Sequence, residues 1–174
     1  MTFLETPLKD AFIIYLSPFV DERGHFSRLF CANELIDIGF DKQIVQINHS
    51  FTKQKGSIRG LHFQKPPFSE TKIIKCLRGK VFDVMVDMRL DSPTYLKCYS
   101  LVLSPEANNA VLIPEGFAHG FQTLKANSEL LYLHTAFYTP NTEGGLRYND
   151  PKLKINWPLP LTQISERDKN HTFL

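Results

Sequence analysis

A chain of 174 residues, 43% hydrophobic and 22% charged, is long enough to bury a sizeable core and too apolar to remain disordered. Its 20 basic and 18 acidic side chains leave a formal charge of +2 with no basic run, which excludes a general polyanion-binding face for nucleic acid or membrane. Cys31, Cys76 and Cys98 form no Cys-x-x-Cys pair, the N-terminus is acidic and broken by Pro7, and no apolar run reaches membrane-spanning length, so a reduced, cytoplasmic setting is expected.

Residues 11–16 are aromatic and β-branched and predict a first strand. Asp21-Glu22-Arg23-Gly24 predicts a turn, and residues 25–30 an extended run. Residues 31–39 carry the only helical pattern, with Leu35, Ile36 and Ile38 ahead of a closing glycine. Residues 43–48 predict a strand with polar groups among apolar ones, and Lys53-Gln54-Lys55-Gly56 predicts a turn. The stretch Arg59-Gly60-Leu61-His62-Phe63-Gln64 follows as a strand. Strict alternation would place Arg59, Leu61 and Phe63 on one face and Gly60, His62 and Gln64 on the other.

Pro66-Pro67 ends that strand, and residues 71–77 predict the next. Arg78-Gly79-Lys80 reads as a short hairpin turn into residues 81–88, a mostly apolar strand with Asp83 and Asp87 on one face. Asp91-Ser92-Pro93 predicts another turn, with strands at 97–103, 110–113, 118–124 and 129–136. Pro140 and Pro151 punctuate an irregular tail around Trp157. Short strands, frequent turns and one brief helix predict an all-β antiparallel sandwich or barrel, one domain over residues 1–174.

Four polar positions fall in or beside apolar strands: His62, Lys72, His119 and Tyr132. A small closed β-structure turns alternate side chains inward, so these can line a common pocket, with Arg59 and Arg23 as an anion-binding edge. The plainer reading makes them scattered surface residues and His62 a core imidazole held by one hydrogen bond. A metal-binding barrel would carry His-x-His, but Gln64 stands where the second histidine belongs; His62 and His119 with Glu70 or Glu115 remain possible ligands in space. No Gly-x-Ser-x-Gly is present, and the cysteines sit in apolar surroundings typical of inert thiols. A histidine, a tyrosine, a lysine and arginines suit proton transfer on an anionic substrate.

Several segments together carry a family resemblance. They are Arg59-Gly60-Leu61-His62-Phe63-Gln64, Gly79-Lys80-Val81-Phe82-Asp83-Val84, Val86-Asp87-Met88-Arg89 and Asp91-Ser92-Pro93-Thr94. Pro114-Glu115-Gly116-Phe117-Ala118-His119-Gly120-Phe121, Tyr138-Thr139-Pro140, Asn149-Asp150-Pro151 and Ile155-Asn156-Trp157-Pro158 belong with them. The chain thereby resembles dTDP-4-dehydrorhamnose 3,5-epimerase and its relatives in nucleotide-deoxysugar biosynthesis over nearly its whole length.

The resemblance implies a cupin-type jelly roll with one or two short helices, free of metal and cofactor, working as a homodimer with exchanged strands on a dTDP-linked 4-keto-6-deoxyhexose. It implies His62 as base, Tyr132 as acid, Asp168 as the carboxylate orienting His62, and Lys72 beside the C4 keto oxygen. Gln46, Asn48, Arg59, His119, Tyr138, Glu143 and Arg167 match substrate-contacting positions. Arg23 and Phe26 match residues near the nucleotide, which the family can supply across the dimer. Two departures stand out. Arg28 occupies a place where dTDP-binding members commonly carry glutamate; arginine only donates, whereas cytosine offers acceptors, so a CDP-linked sugar is a second candidate substrate. Glu70-Thr71 before Lys72 also differs from the family's usual glutamine-containing version. The same residues also admit inversion at one carbon only, a 3,4-ketoisomerase, or a non-catalytic nucleotide-sugar binder.

Overall fold

The computed structural model describes all 174 residues. The chain opens with β1 (Thr2–Glu5), β2 (Phe12–Tyr15), β3 (Phe19–Asp21) and β4 (Gly24–Phe26), followed by the helical turn α1 (Ala32–Leu35). Next come β5 (Gln46–Thr52), β6 (Ile58–Gln64), β7 (Lys72–Arg78) and β8 (Val81–Asp87). The second half holds β9 (Cys98–Leu103), β10 (Asn109–Ile113), β11 (Phe117–Thr123), β12 (Ser128–His134), β13 (Glu143–Gly145) and α2 (Glu166–Lys169).

The strands form two antiparallel sheets. Sheet I has six strands in the order β1-β2-β10-β7-β12-β5, and sheet II has five in the order β13-β6-β11-β8-β9; β3 and β4 make a separate ribbon. This is a cupin-type jelly roll, the all-β class expected from the strand pattern. No helix is long and apolar enough to cross a membrane.

Apolar burial on both faces of the sheets explains why β10 and β11 lack a hydrophobic–polar alternation. Ile74, Val81, Met85, Val111, Phe121 and Leu130 pack between the sheets. Ile73, Leu112 and Leu133 on the back of sheet I are covered by Leu35 and Phe40 from the α1 region. Leu61, Val84, Val86 and Ala118 on the back of sheet II are covered by Leu146, Leu153 and Trp157 of the C-terminal segment. The indole N–H of Trp157 donates to the Tyr148 carbonyl at 2.8 Å, which fixes that cover in place.

The structure corrects several local expectations. Arg78-Gly79-Lys80 is a crossover and not a hairpin, because β7 lies in sheet I and β8 in sheet II. Gly79 has φ +80°, and a Cβ there would lie 2.8 Å from Ser128 Cα, so the tight passage between sheets requires glycine. The strand expected at 43–48 runs instead from Gln46 to Thr52, and the extended run after Gly24 stops at Phe26. The tail is not wholly irregular, since it contributes β13 and α2.

Candidate active site

One end of the space between the sheets opens as a cavity of about 640 Å³. From sheet I, Gln46, Asn48 and Ser50 of β5, Lys72 of β7, and Tyr132 and His134 of β12 line it. These follow the two-residue period that puts alternate side chains on one face. Strand register pairs Asn48 with Tyr132, and His134 with both Gln46 and Lys72, so they form one contiguous polar wall. From sheet II come Arg59 and His62 of β6, and His119 and Phe121 of β11.

Arg59 and His62 lie three residues apart and would face opposite ways in a regular strand. They share the cavity because the β6–β11 pairing slips between His119, opposite His62, and Phe121, opposite Arg59. Gly60 sits in this irregularity with φ +116°, and Leu61 turns to the apolar cluster behind sheet II. The expected alternation fails here for that reason. A Cβ on Gly60 would lie 2.5 Å from Gly120 Cα, so the two backbones touch.

His62 and Asp168 form a directly bonded acid–base pair in the cavity. The α2 turn is capped by Ser165, whose Oγ accepts the Asp168 N–H at 3.1 Å. The preceding segment is tied to β6 by the Ile58 N–H donating to the Gln163 carbonyl. Asp168 thus reaches β6, where Oδ2 accepts the Gly60 N–H at 3.0 Å and Oδ1 lies 2.8 Å from His62 Nε2. Burial raises the carboxyl pKa, but the His62 contact and the Gly60 and Ser165 hydrogen bonds outweigh it and hold Asp168 well below the usual carboxylate range. A carboxylate only accepts, so Nε2 carries the ring proton and Nδ1 keeps the lone pair. Arg167 Nη2, itself only a donor, also lies 3.0 Å from Nε2 and competes for that nitrogen. The closer 2.8 Å carboxylate contact favours the Nε2–H form, so the Arg167 approach is a contact without a hydrogen bond. Its Nη1 pairs with Glu143 at 2.6 Å. Tyr138 donates to the same Glu143 oxygen at 3.2 Å, and its backbone N–H donates to Gln46.

A second buried pair joins His119 Nε2 to Asp83 Oδ2 at 2.8 Å. Asp83 has no exposed surface, and burial pushes its pKa up against the opposing pull of His119. Tyr132 sits between two imidazoles, edge-on to His119 and stacked on His134 at 16°. Its hydroxyl meets Ser50 Oγ at 3.2 Å, and burial pushes its pKa well above the ordinary phenol value. Lys72 Nζ lies 2.9 Å from Glu70 Oε1, and His134 Nδ1 lies 2.7 Å from Oε2 of the same carboxylate. Arg59 donates to Thr52 Oγ1 and to the Phe51 carbonyl and has no carboxylate partner, which leaves its charge for an anion.

Eleven of the fourteen site residues expected from sequence therefore line one cavity: His62, Tyr132, Asp168, Lys72, Gln46, Asn48, Arg59, His119, Tyr138, Glu143 and Arg167. Arg23, Phe26 and Arg28 do not. Arg23 pairs with Asp21 on the exposed β3–β4 ribbon, Phe26 is 78% exposed, and Arg28 donates to Glu34 at 2.5 Å. Ser50, Asp83 and His134 are site-forming residues that sequence reasoning did not assign. The signal for Ser50 and His134 was present in the two-residue polar period of residues 46–50 and 132–134, and that for Asp83 in its place within the apolar strand 81–88.

The metal set considered from sequence does not assemble: Glu115 pairs with Lys42 outside the cavity, Glu70 is taken up by Lys72 and His134, and His119 by Asp83. His62, Asp168 and His171 do bring ligand atoms within 4.8 Å of one another. The first two already bind each other, and the Arg167 guanidinium against Nε2 repels a cation there. Cys76 and Cys98 are pushed up to about 11 by burial, as inert thiols are.

A family model described as dTDP-4-dehydrorhamnose 3,5-epimerase matches residues 5–174. The dTDP-4-dehydrorhamnose 3,5-epimerase of Sinorhizobium fredii is 41% identical over 100% of this chain and 90% of its own length. The crystal structure of the Bacillus anthracis enzyme of that name, with TDP and pyrophosphate bound, superposes with a TM-score of 0.96 at 36% identity, covering 99% of each chain. A Legionella pneumophila 3,5-epimerase in complex with dTDP-4-keto-L-rhamnose gives a TM-score of 0.94 at 37% identity, over 99% of this chain and 92% of that one.

Proposed function

This chain belongs to the dTDP-4-dehydrorhamnose 3,5-epimerase family, and from that premise we propose that it inverts C3 and C5 of a dTDP-linked 4-keto-6-deoxyhexose without a cofactor. The observation that carries the mechanism is that His62 and Tyr132 reach one cavity from opposing sheets. A sugar ring lying between the sheets has a base on one face and an acid on the other, which inversion requires.

The 4-keto group acidifies the neighbouring C–H bonds, and the lone pair on His62 Nδ1 takes the proton. Asp168 stabilises the imidazolium that forms. The electron pair moves onto the C4 oxygen, where the Lys72 ammonium stabilises the enolate; one preorganised donor is worth about 3–4 kcal/mol there. Tyr132 then delivers its proton to the opposite face. The phenol is protonated at neutral pH, and because burial raises its pKa further it gives up the proton only to a strongly basic enolate carbon. The phenolate regains a proton from solvent, and the imidazolium loses one.

Arg59 holds the diphosphate, with His119, Gln46, Asn48, Tyr138, Glu143 and Arg167 contacting substrate. Arg23, Phe26 and Arg28 complete the nucleotide end from a second copy of the chain in a homodimer. The exposure of Phe19, Val20 and Phe26 on the β3–β4 ribbon supports a partner surface there. An Arg23→Ala variant that loses dTDP affinity while remaining dimeric by light scattering supports this placement. Unchanged affinity sinks it.

The ligands named for the Bacillus and Legionella relatives favour thymine over cytosine. The case for cytosine rests on Arg28, which is already paired with Glu34. Calorimetry with dTDP and CDP separates the two, and tighter CDP binding overturns the thymine assignment. The test of the whole reading is proton NMR in heavy water, with chelator, on dTDP- and CDP-4-keto-6-deoxyglucose. Deuterium is expected at C3 and C5. A carbonyl moved to C3 would indicate a ketoisomerase, and no exchange at all defeats the proposal.

A further inference from the structure

Four hydrogen bonds run in one direction along the sheet I wall of the cavity, and a backbone group sets their sense. The Tyr138 N–H can only donate, and it donates to Gln46 Oε1 at 3.0 Å. Gln46 Nε2 therefore donates to Asn48 Oδ1 at 3.3 Å, and Asn48 Nδ2 faces His134 Nε2 at 3.3 Å. An amide NH2 only donates, so this ring nitrogen accepts and the His134 proton sits on Nδ1. Nδ1 lies 2.7 Å from Glu70 Oε2, and the chain of donors ends there. From the other side, Lys72 Nζ reaches Glu70 Oε1 at 2.9 Å. The side chains of Glu70, Lys72 and His134 are only 9%, 10% and 9% exposed, so the two contacts of the Glu70 carboxylate are made away from bulk solvent.

We propose that Glu70 is a positioning residue with two outputs. One carboxylate oxygen aims Lys72, and the other, through His134, fixes the donor and acceptor sense of Asn48 and Gln46. This rests on the reading of Lys72, Asn48 and Gln46 as substrate-facing groups. The physical reason for a carboxylate is that two donors converge on it and it offers an acceptor to each. A glutamine offers one acceptor and one NH2. Turning its oxygen to the Lys72 ammonium points the NH2 at His134, whose proton must then move to Nε2. That places it against the Asn48 NH2, so Asn48 has to rotate, and its link to Gln46 breaks.

The test uses Glu70→Gln, which keeps shape and removes one acceptor. Long-range proton–nitrogen NMR of the ligand-free, 15N-labelled protein at neutral pH reads the imidazole tautomer directly. The wild type is expected to hold the His134 proton on Nδ1 and the variant on Nε2. In the heavy-water assay the variant is expected to lose about tenfold or more in kcat/KM, because small misplacements of reacting groups carry costs of that size. Thermal stability should not fall in parallel. Wild-type kcat/KM in the variant, retention of the Nδ1 proton, or a rate loss matched by a stability loss each overturn the proposal. If Glu70→Gln does not fold, Lys72→Met/Glu70→Gln removes the charges together; with no ammonium to hold the amide oxygen, that oxygen is expected to accept from His134, and a proton on Nε2 in that variant overturns the proposal. Absence of exchange by the wild type defeats the functional reading instead, while the tautomer measurement still decides the role of Glu70.

Discussion

Asp168→Asn is the substitution in which the geometry of the cavity makes its sharpest demand. The carboxylate is 3% exposed and accepts from His62 Nε2 at 2.8 Å and from the Gly60 N–H at 3.0 Å. Asparagine has one acceptor for these two donors. If its oxygen faces His62, its NH2 is driven against the Gly60 N–H, a buried donor–donor clash costing about 1–3 kcal/mol. The favoured orientation gives the oxygen to Gly60 and the NH2 to Nε2, which forces the ring proton onto Nδ1. The lone pair that should take the substrate proton is then occupied, and the imidazolium also loses its counter-charge. Together these are expected to lower the rate by about 10³–10⁴, or roughly 4–5.5 kcal/mol of barrier. Deuterium wash-in at C3 and C5 measures the loss, and calorimetry with dTDP should show near-normal binding, since Asp168 acts through His62. A variant within about tenfold of wild type, with the nucleotide still bound, would refute the assignment of Nδ1 as the base. The sign of the stability effect follows from the depressed carboxyl pKa. Its contribution is complete above the unfolded carboxyl value of about 4 and fades as pH falls through the lower folded value. Wild type and variant should therefore differ in urea stability at pH 7 and converge progressively below about pH 4.

Tyr132→Phe removes the proton donor but leaves the base, so product formation should fall by at least about 100-fold while some wash-out of substrate hydrogen persists; unchanged turnover removes Tyr132 from the mechanism. Arg59→Ala should weaken dTDP by about 1.5–3 kcal/mol, the range for a charge-assisted hydrogen bond, and spare thymidine. Equal weakening of both ligands would show that the loss is not at the phosphates. Asp87 accepts from Arg89, Ser92 and Thr94, and although burial opposes them, these contacts lower its pKa to about 2. Asp87→Asn should cost about 2 kcal/mol at neutral pH, and that difference should disappear between about pH 4 and pH 2. A constant difference down to pH 2 would mean that the network is held by packing and not by charge.

Strand existence was legible throughout the central part of the chain because β-branched and aromatic runs alternate there with turn residues. Residues 81–88 and 97–103 were placed within a residue or so. Sheet membership was not legible. A short glycine turn between two apolar runs reads the same whether the runs pair or part, and Arg78-Gly79-Lys80 parts them. The slip at Gly60 was equally hidden, since it depends on how closely Gly120 approaches from another strand. Polar residues inside apolar strands singled out His62, Lys72, His119 and Tyr132, which share one cavity, because burial of such groups demands partners. Asp168 came only from family resemblance, as a single helical turn 106 positions from its partner has no periodic signal. Glu70 and His134 were missed as a pair because neither means much until β7 and β12 lie side by side.

The contact between Gly60 and Gly120 also sets a limit on how this sequence can drift. A methyl on Gly60 would meet the His119 carbonyl oxygen at 2.7 Å, and one on Gly120 would meet the Arg59 carbonyl oxygen at the same distance. Each obstacle is main chain, so no second-site change in a neighbouring side chain can make room for either. In a saturation library both positions should therefore tolerate glycine alone, even in paired variants. The cavity rim can diversify, but the two strands that carry Arg59, His62 and His119 form a junction with no neighbouring solution in sequence space.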